Sequence, residues 1–72
     1  MDPTMNLEMQ RRLAARLVVR SELGQPIGAD DAVRLAELVI ALDEWLARGG
    51  FLPSQWAEVT RRAAPAVQGG AR

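Results

Sequence analysis

Seventy-two residues make one domain, and a chain this short buries only about 60% of the surface that its unfolded form exposes. It has neither cysteine nor histidine, so disulfide staples and conventional transition-metal sites drop out. Good helix packing or self-association is left to stabilise it. Nine arginines stand against nine carboxylates, with no lysine, for a formal net charge of zero; a strongly basic nucleic-acid binder shows an excess instead.

The first helix is expected over residues 4–22. Asp2-Pro3 suits an N-cap followed by proline at the first helical position, with Thr4 as the alternative cap. On a helical wheel Leu7, Leu13, Ala14, Leu17 and Val18 share one arc, and Glu8, Arg11, Arg12, Arg16, Arg20 and Glu22 occupy the other. Met1 to Thr4 lack the basic start and apolar run of a secretion signal. No stretch approaches the roughly 20 apolar residues that cross a bilayer. A cytoplasmic protein with no membrane association is the expectation.

Gly24-Gln25-Pro26-Ile27-Gly28 is strong punctuation. Asp30 or Asp31 is then expected to cap a second helix that runs to about Arg48, where Gly49-Gly50 ends it with a left-handed C′ glycine. This helix is apolar most of the way round. Ala32, Leu35, Leu38, Val39, Leu42, Trp45 and Leu46 form one wide face, and Val33, Ala36, Ile40 and Ala47 continue it. Only Arg34, Glu37, Glu44 and Arg48 make a polar strip. A helix of this kind needs cover on more than one side. Asp43 falls within the extended apolar arc, where it either meets an arginine from elsewhere or lies in a wet gap between two faces.

Phe51-Leu52-Pro53 leads into a shorter helix over residues 54–64, begun by Ser54 as cap or by Pro53 as first residue. Trp56, Val59 and Ala63 have the spacing of an inward face. Pro65 stops it, and residues 65–72 read as a flexible tail. The expected fold is a small all-α three-helix domain over residues 1–64, with Leu13, Leu17, Leu35, Leu42, Trp45 and Trp56 as its structural core. Exposed, the tryptophans would instead be interface hot spots.

No constellation carries chemistry. Without His, Cys, Lys or Tyr nothing readily activates Ser21, Ser54, Thr4 or Thr60. Asp30-Asp31 and Asp43-Glu44 are sequence neighbours about 100° apart on a helix, and do not converge on one atom. No phosphate-binding glycine pattern exists. Neither enzyme activity nor any cofactor is expected.

Residues 41–56, Ala-Leu-Asp-Glu-Trp-Leu-Ala-Arg-Gly-Gly-Phe-Leu-Pro-Ser-Gln-Trp, resemble a run found in small uncharacterised proteins of actinobacteria and their phages, where LDEWLxxGGFLPxxW follows a helix of similar character. The resemblance implies a bacterial or phage accessory protein. It brings no activity and no site residue.

The expected function is therefore a non-enzymatic, self-associating helical interaction module. Val33, Leu38, Ile40 and Ala47 are its expected self-contacts, and a host or phage protein is a further partner of the same kind of surface. The alternative is a helix-turn-helix-like nucleic-acid binder, with Arg11, Arg12, Arg16, Arg20, Arg61 and Arg62 as a basic ridge for phosphates or an acidic surface. The other expectation for that ridge is neutralisation by the acids of the second helix, within the subunit or from a neighbouring one.

Overall fold

The computed structural model describes residues 1–59. Three helices follow one another: α1 (Pro3–Glu22), α2 (Ala29–Ala47) and α3, whose described part is residues 54–59. Helix accounts for 76% of the described residues and none is in a strand, so the fold is all-α. The expected end of α3, with Arg61, Arg62 and Ala63, and the tail 65–72 lie outside the described residues.

The helix ends follow from local chemistry. Asp2 caps α1, its carboxylate accepting from the Met5 amide at 3.1 Å, and Pro3 takes the first turn, where a missing N–H leaves nothing unsatisfied. At the other end Gly24 has φ +72°. Its N–H donates to the Ser21 carbonyl (3.1 Å), and that of Gln25 donates to Arg20 (2.8 Å). The same pair of bonds closes α2: Gly49 at φ +87° donates to Leu46 (3.0 Å) and Gly50 to Trp45 (2.9 Å). Both glycines supply a left-handed residue that a side chain would strain.

Two expected caps are corrected. The helical bonds of α2 begin one residue before Asp30, so Gly28 holds the extended cap position, without a side-chain bond. Asp30 and Asp31 sit in the first turn and act on the helix dipole alone. Likewise, neither Ser54 caps α3 nor does Pro53 start it. Pro53 precedes the helix, its carbonyl accepting from Trp56 (3.0 Å) and Ala57 (2.9 Å), and the Ser54 amide donates to Thr4 Oγ at 3.0 Å. A side chain at the start of α1 thus supplies the cap that α3 lacks.

α1 and α2 form an antiparallel hairpin: Asn6 and Gln10 lie beside Leu38, whereas Arg12 and Arg16, later in α1, lie beside Asp30, Asp31 and Arg34, earlier in α2. Among the described residues the buried apolar side chains are Leu7, Leu13 and Leu42, with Pro3 and Pro53 enclosed completely where α1 meets α3. Each buried leucine stabilises the fold by roughly 1.5–3 kcal/mol. Leu17, Leu35, Leu38, Trp45 and Leu46 are half-buried around them.

At the α2–α3 corner the Trp45 indole N–H donates to the Phe51 carbonyl (2.9 Å), and the two rings meet edge to face at 5.3 Å and 87°. The indole lies against the Cα of Gly50, where any Cβ would overlap it. Gly50→Ala is therefore expected to lower stability by about 1–3 kcal/mol, the usual penalty of overpacking, seen as a fall in the thermal midpoint by circular dichroism. Gly28→Ala, which meets open space, is expected to change it by less than about 1 kcal/mol.

Candidate interaction surface

The seam between α1 and α2 is fixed by amides. Asn6, 8% exposed, donates from Nδ2 to the Leu38 carbonyl at 3.0 Å, and its Oδ1 accepts from Gln10 Nε2 at 2.7 Å; the same Gln10 nitrogen reaches Leu38 O at 3.4 Å. A buried amide left unmatched is penalised, so this cluster selects one rotation of α2 about its axis. Sequence reading passed over both residues. Their signal was present: Asn6 and Gln10 lie, four apart, on the same arc as Leu13, Leu17 and Ala14.

Because that rotation is fixed, the rest of the circumference of α2 is fixed too. Successive residues turn by about 100°. With Leu35, Leu38, Leu42, Trp45 and Leu46 inward, Ala29, Val33, Ala36, Ile40, Asp43 and Ala47 line up outward, in alternating steps of four and three. All six are exposed in the structure, Val33 at 55% and Ile40 at 56%. Asp43 sits in this stripe without an ion-pair partner among the described residues. It also borders a cleft of about 210 Å³ with Gln10, Val39, Leu42, Leu46 and Trp56.

Three expected side-chain placements differ. Leu38, expected as a self-contact, points into the seam and is half-buried, while Val33, Ile40 and Ala47 are exposed. Trp56, expected in the core, keeps 36% of its surface exposed at the cleft mouth, and Val59, expected inward, keeps 58%. The hydrogen bonds from Ser54 N and Gln55 Nε2 (3.3 Å) to Thr4 set the rotation of α3. They turn Ala57 inward and Val59 outward. Of the other core residues, Leu13 and Leu42 are buried, and Leu17, Leu35 and Trp45 are half-buried.

Of the arginine ridge, Arg11, Arg12 and Arg16 are exposed and Arg20 is half-buried in the last turn of α1. Arg12 and Arg16 line a second cleft, of about 390 Å³, with Met9, Leu13, Asp30, Asp31 and Arg34. Opposite charges share this cleft, yet among the described residues the one ion pair is Arg12–Glu8 at 2.7 Å within α1, largely solvent-exposed and so of little energetic weight. No acid of α2 forms a direct ion pair with an arginine of α1, although Asp30 and Asp31 share that cleft with Arg12 and Arg16.

The site is thus a surface of a small helical domain, apolar along α2 and basic along α1, and not a pocket enclosing reactive groups. Among the described residues no helix is long and apolar enough to cross a membrane, and no three His, Cys, Asp or Glu side chains are grouped to hold a metal ion. No family model matches the chain and no solved structure matches it. Its sequence is similar to the UPF0276 protein PA3283 of Pseudomonas aeruginosa, 41% identical over 56 residues. That match takes in 75% of this chain and 20% of the other protein, so the chain spans about a fifth of its relative.

Two substitutions separate seam from surface. Asn6→Ala is expected to destabilise the subunit by about 1–2 kcal/mol through the lost amide bonds. Ile40→Ser is expected to stay within about 0.5 kcal/mol. Urea titrations at high dilution measure both.

Proposed function

We propose that the protein is a non-enzymatic interaction module that self-associates through the outer face of α2. The observation that carries this is the stripe of Val33, Ala36, Ile40 and Ala47, apolar and exposed over four turns, beside a core that holds few buried side chains among the described residues. Contiguous apolar surface of this kind marks an interaction site, and small domains commonly gain stability by oligomerising. The reading places the protein in the bacterial cytoplasm as an accessory or regulatory component of a bacterium or phage, where a host or phage protein with a matching apolar helix is a further partner.

A helix-turn-helix role has less in its favour. The turn from Arg48 to Pro53 is longer than the usual three or four residues. The start of α3, which would read bases, is engaged with Thr4 through Ser54 and Gln55.

Static light scattering tests the proposal. The purified chain is expected to exceed its 7.9 kDa subunit mass at micromolar concentration, and Ile40→Glu, which places a carboxylate in the contact, is expected to return it to that mass. A wild-type monomer whose mass is insensitive to concentration would end the reading.

A further inference from the structure

The outer stripe of α2 has a counterpart on α1. Met5, Met9, Arg12, Arg16, Val19 and Leu23 follow the same alternating steps of four and three along α1 and its C-cap. Met5 is 49% exposed, Val19 51% and Leu23 65%; Arg12 and Arg16 are exposed, and Met9 is half-buried. None of these apolar groups joins the core. The two stripes span equal lengths of helix, residues 5–23 and 29–47, so each can run the length of the other.

Their charges are opposite. The α1 stripe carries two arginines at its centre. The α2 stripe carries Asp43, and Glu37 and Glu44 lie exposed along its nearer edge, with Arg48 and Arg34 further round the helix. Opposed α2 stripes from two copies would bring those carboxylates towards one another. An α1 stripe laid on an α2 stripe sets guanidinium against carboxylate, and the small Ala36 and Ala47 leave room for the long arginine stems.

One copy cannot make this contact with itself. The α1 stripe borders the cleft of Met9, Arg12 and Arg16, the α2 stripe borders the cleft of Asp43, and the two clefts lie on opposite sides of the α1–α2 seam. From this we infer that self-association is head to tail: the outer stripe of α1 in one copy occupies the outer stripe of α2 in the next. This rests on the self-association proposed above and adds which surfaces meet. Such a contact is heterologous, so it propagates into chains or closes into a ring instead of stopping at a two-fold pair.

Complementation between two blocked variants tests it. Val19→Glu spoils the α1 stripe and Ile40→Glu the α2 stripe; both residues are exposed in the subunit, so folding is expected to survive, and Leu23→Glu and Val33→Glu serve as second variants of each kind. Wild-type mass is expected to rise with concentration past two copies. Each variant alone is expected to scatter as a 7.9 kDa monomer. Mixed one to one, they are expected to give a species of twice that mass and no larger, because one good stripe of each kind remains. Assembly of wild type is expected to loosen roughly tenfold as salt rises from about 0.01 M to about 1 M, where the Debye length falls from about 30 Å to about 3 Å. Wild type that assembles while Val19→Glu assembles equally well, a mixture that stays monomeric, or assembly that tightens with salt would overturn the head-to-tail contact and leave self-association standing. A wild-type monomer would remove both.

Discussion

The amide of Asn6 fixes the fold's central variable, the rotation of α2 about its own axis. α2 is apolar over most of its circumference, so hydrophobic burial alone sets that angle poorly: several strips of leucine, valine and alanine would serve against α1. The Asn6 nitrogen on the Leu38 carbonyl, held from the other side by Gln10, removes the degeneracy. Any other rotation buries the same amides without partners, a penalty comparable to the burial of a whole apolar side chain. Once Leu38 is inward, Val33, Ile40 and Ala47 are outward by helix geometry alone.

The described part of the third helix, residues 54–59, closes one end of this hairpin without covering that outward face. It is anchored at its start, where Thr4 receives Ser54 and Gln55 and where Pro3 and Pro53 are enclosed. Cover is concentrated where α1 begins, over Leu7 and Leu42, and the described part of α3 leaves Val33 and Ile40 bare. Among the described residues the core is Leu7, Leu13 and Leu42 with Pro3 and Pro53, and the periphery carries large exposed apolar residues, among them Val18, Val19, Leu23, Val33 and Ile40. Two exposed stripes with opposite charge, on opposite sides of the hairpin, make that periphery an asymmetric surface.

Much of this was legible in the sequence, and what was not has a common cause. The helix ends were readable because they are local: Asp2-Pro3 and the glycines at 24 and 49 act through bonds no more than five residues long. The over-wide apolar circumference of α2 was readable because composition along one helix suffices. The direction in which a given side chain of α2 points was not, since it depends on an amide thirty-two residues away in sequence. The wheel puts Leu38 on the main face and Ile40 on its continuation, but both are apolar and the wheel alone does not say which of the two turns inward. Trp56 and Val59 were misplaced for the same reason, because Thr4 sets the rotation of α3 from the far end of the chain. Gly28 took the α2 cap in place of an aspartate because first-turn acids and capping acids differ by a single residue of register.

That distinction between local and distant determinants also explains the run at residues 41–56. Trp45 needs Gly50, because its indole lies where a Cβ would stand, and needs the Phe51 carbonyl for its N–H. Gly49 carries the left-handed turn that brings Gly50 there. Pro53 fills the enclosed space against α1 and its carbonyl accepts the first amide bonds of α3, and Trp56 lines the cleft beside Leu42 and Leu46. Trp45, Gly49, Gly50, Phe51, Pro53 and Trp56 of LDEWLxxGGFLPxxW thus have structural roles at the corner, and its aspartate, Asp43, faces outward into the α2 stripe. A motif of this kind specifies how the corner is built. It leaves unconstrained the exposed residues around it, among them Val33, Ala36 and Ile40 on α2 and Arg12, Arg16 and Val19 on α1.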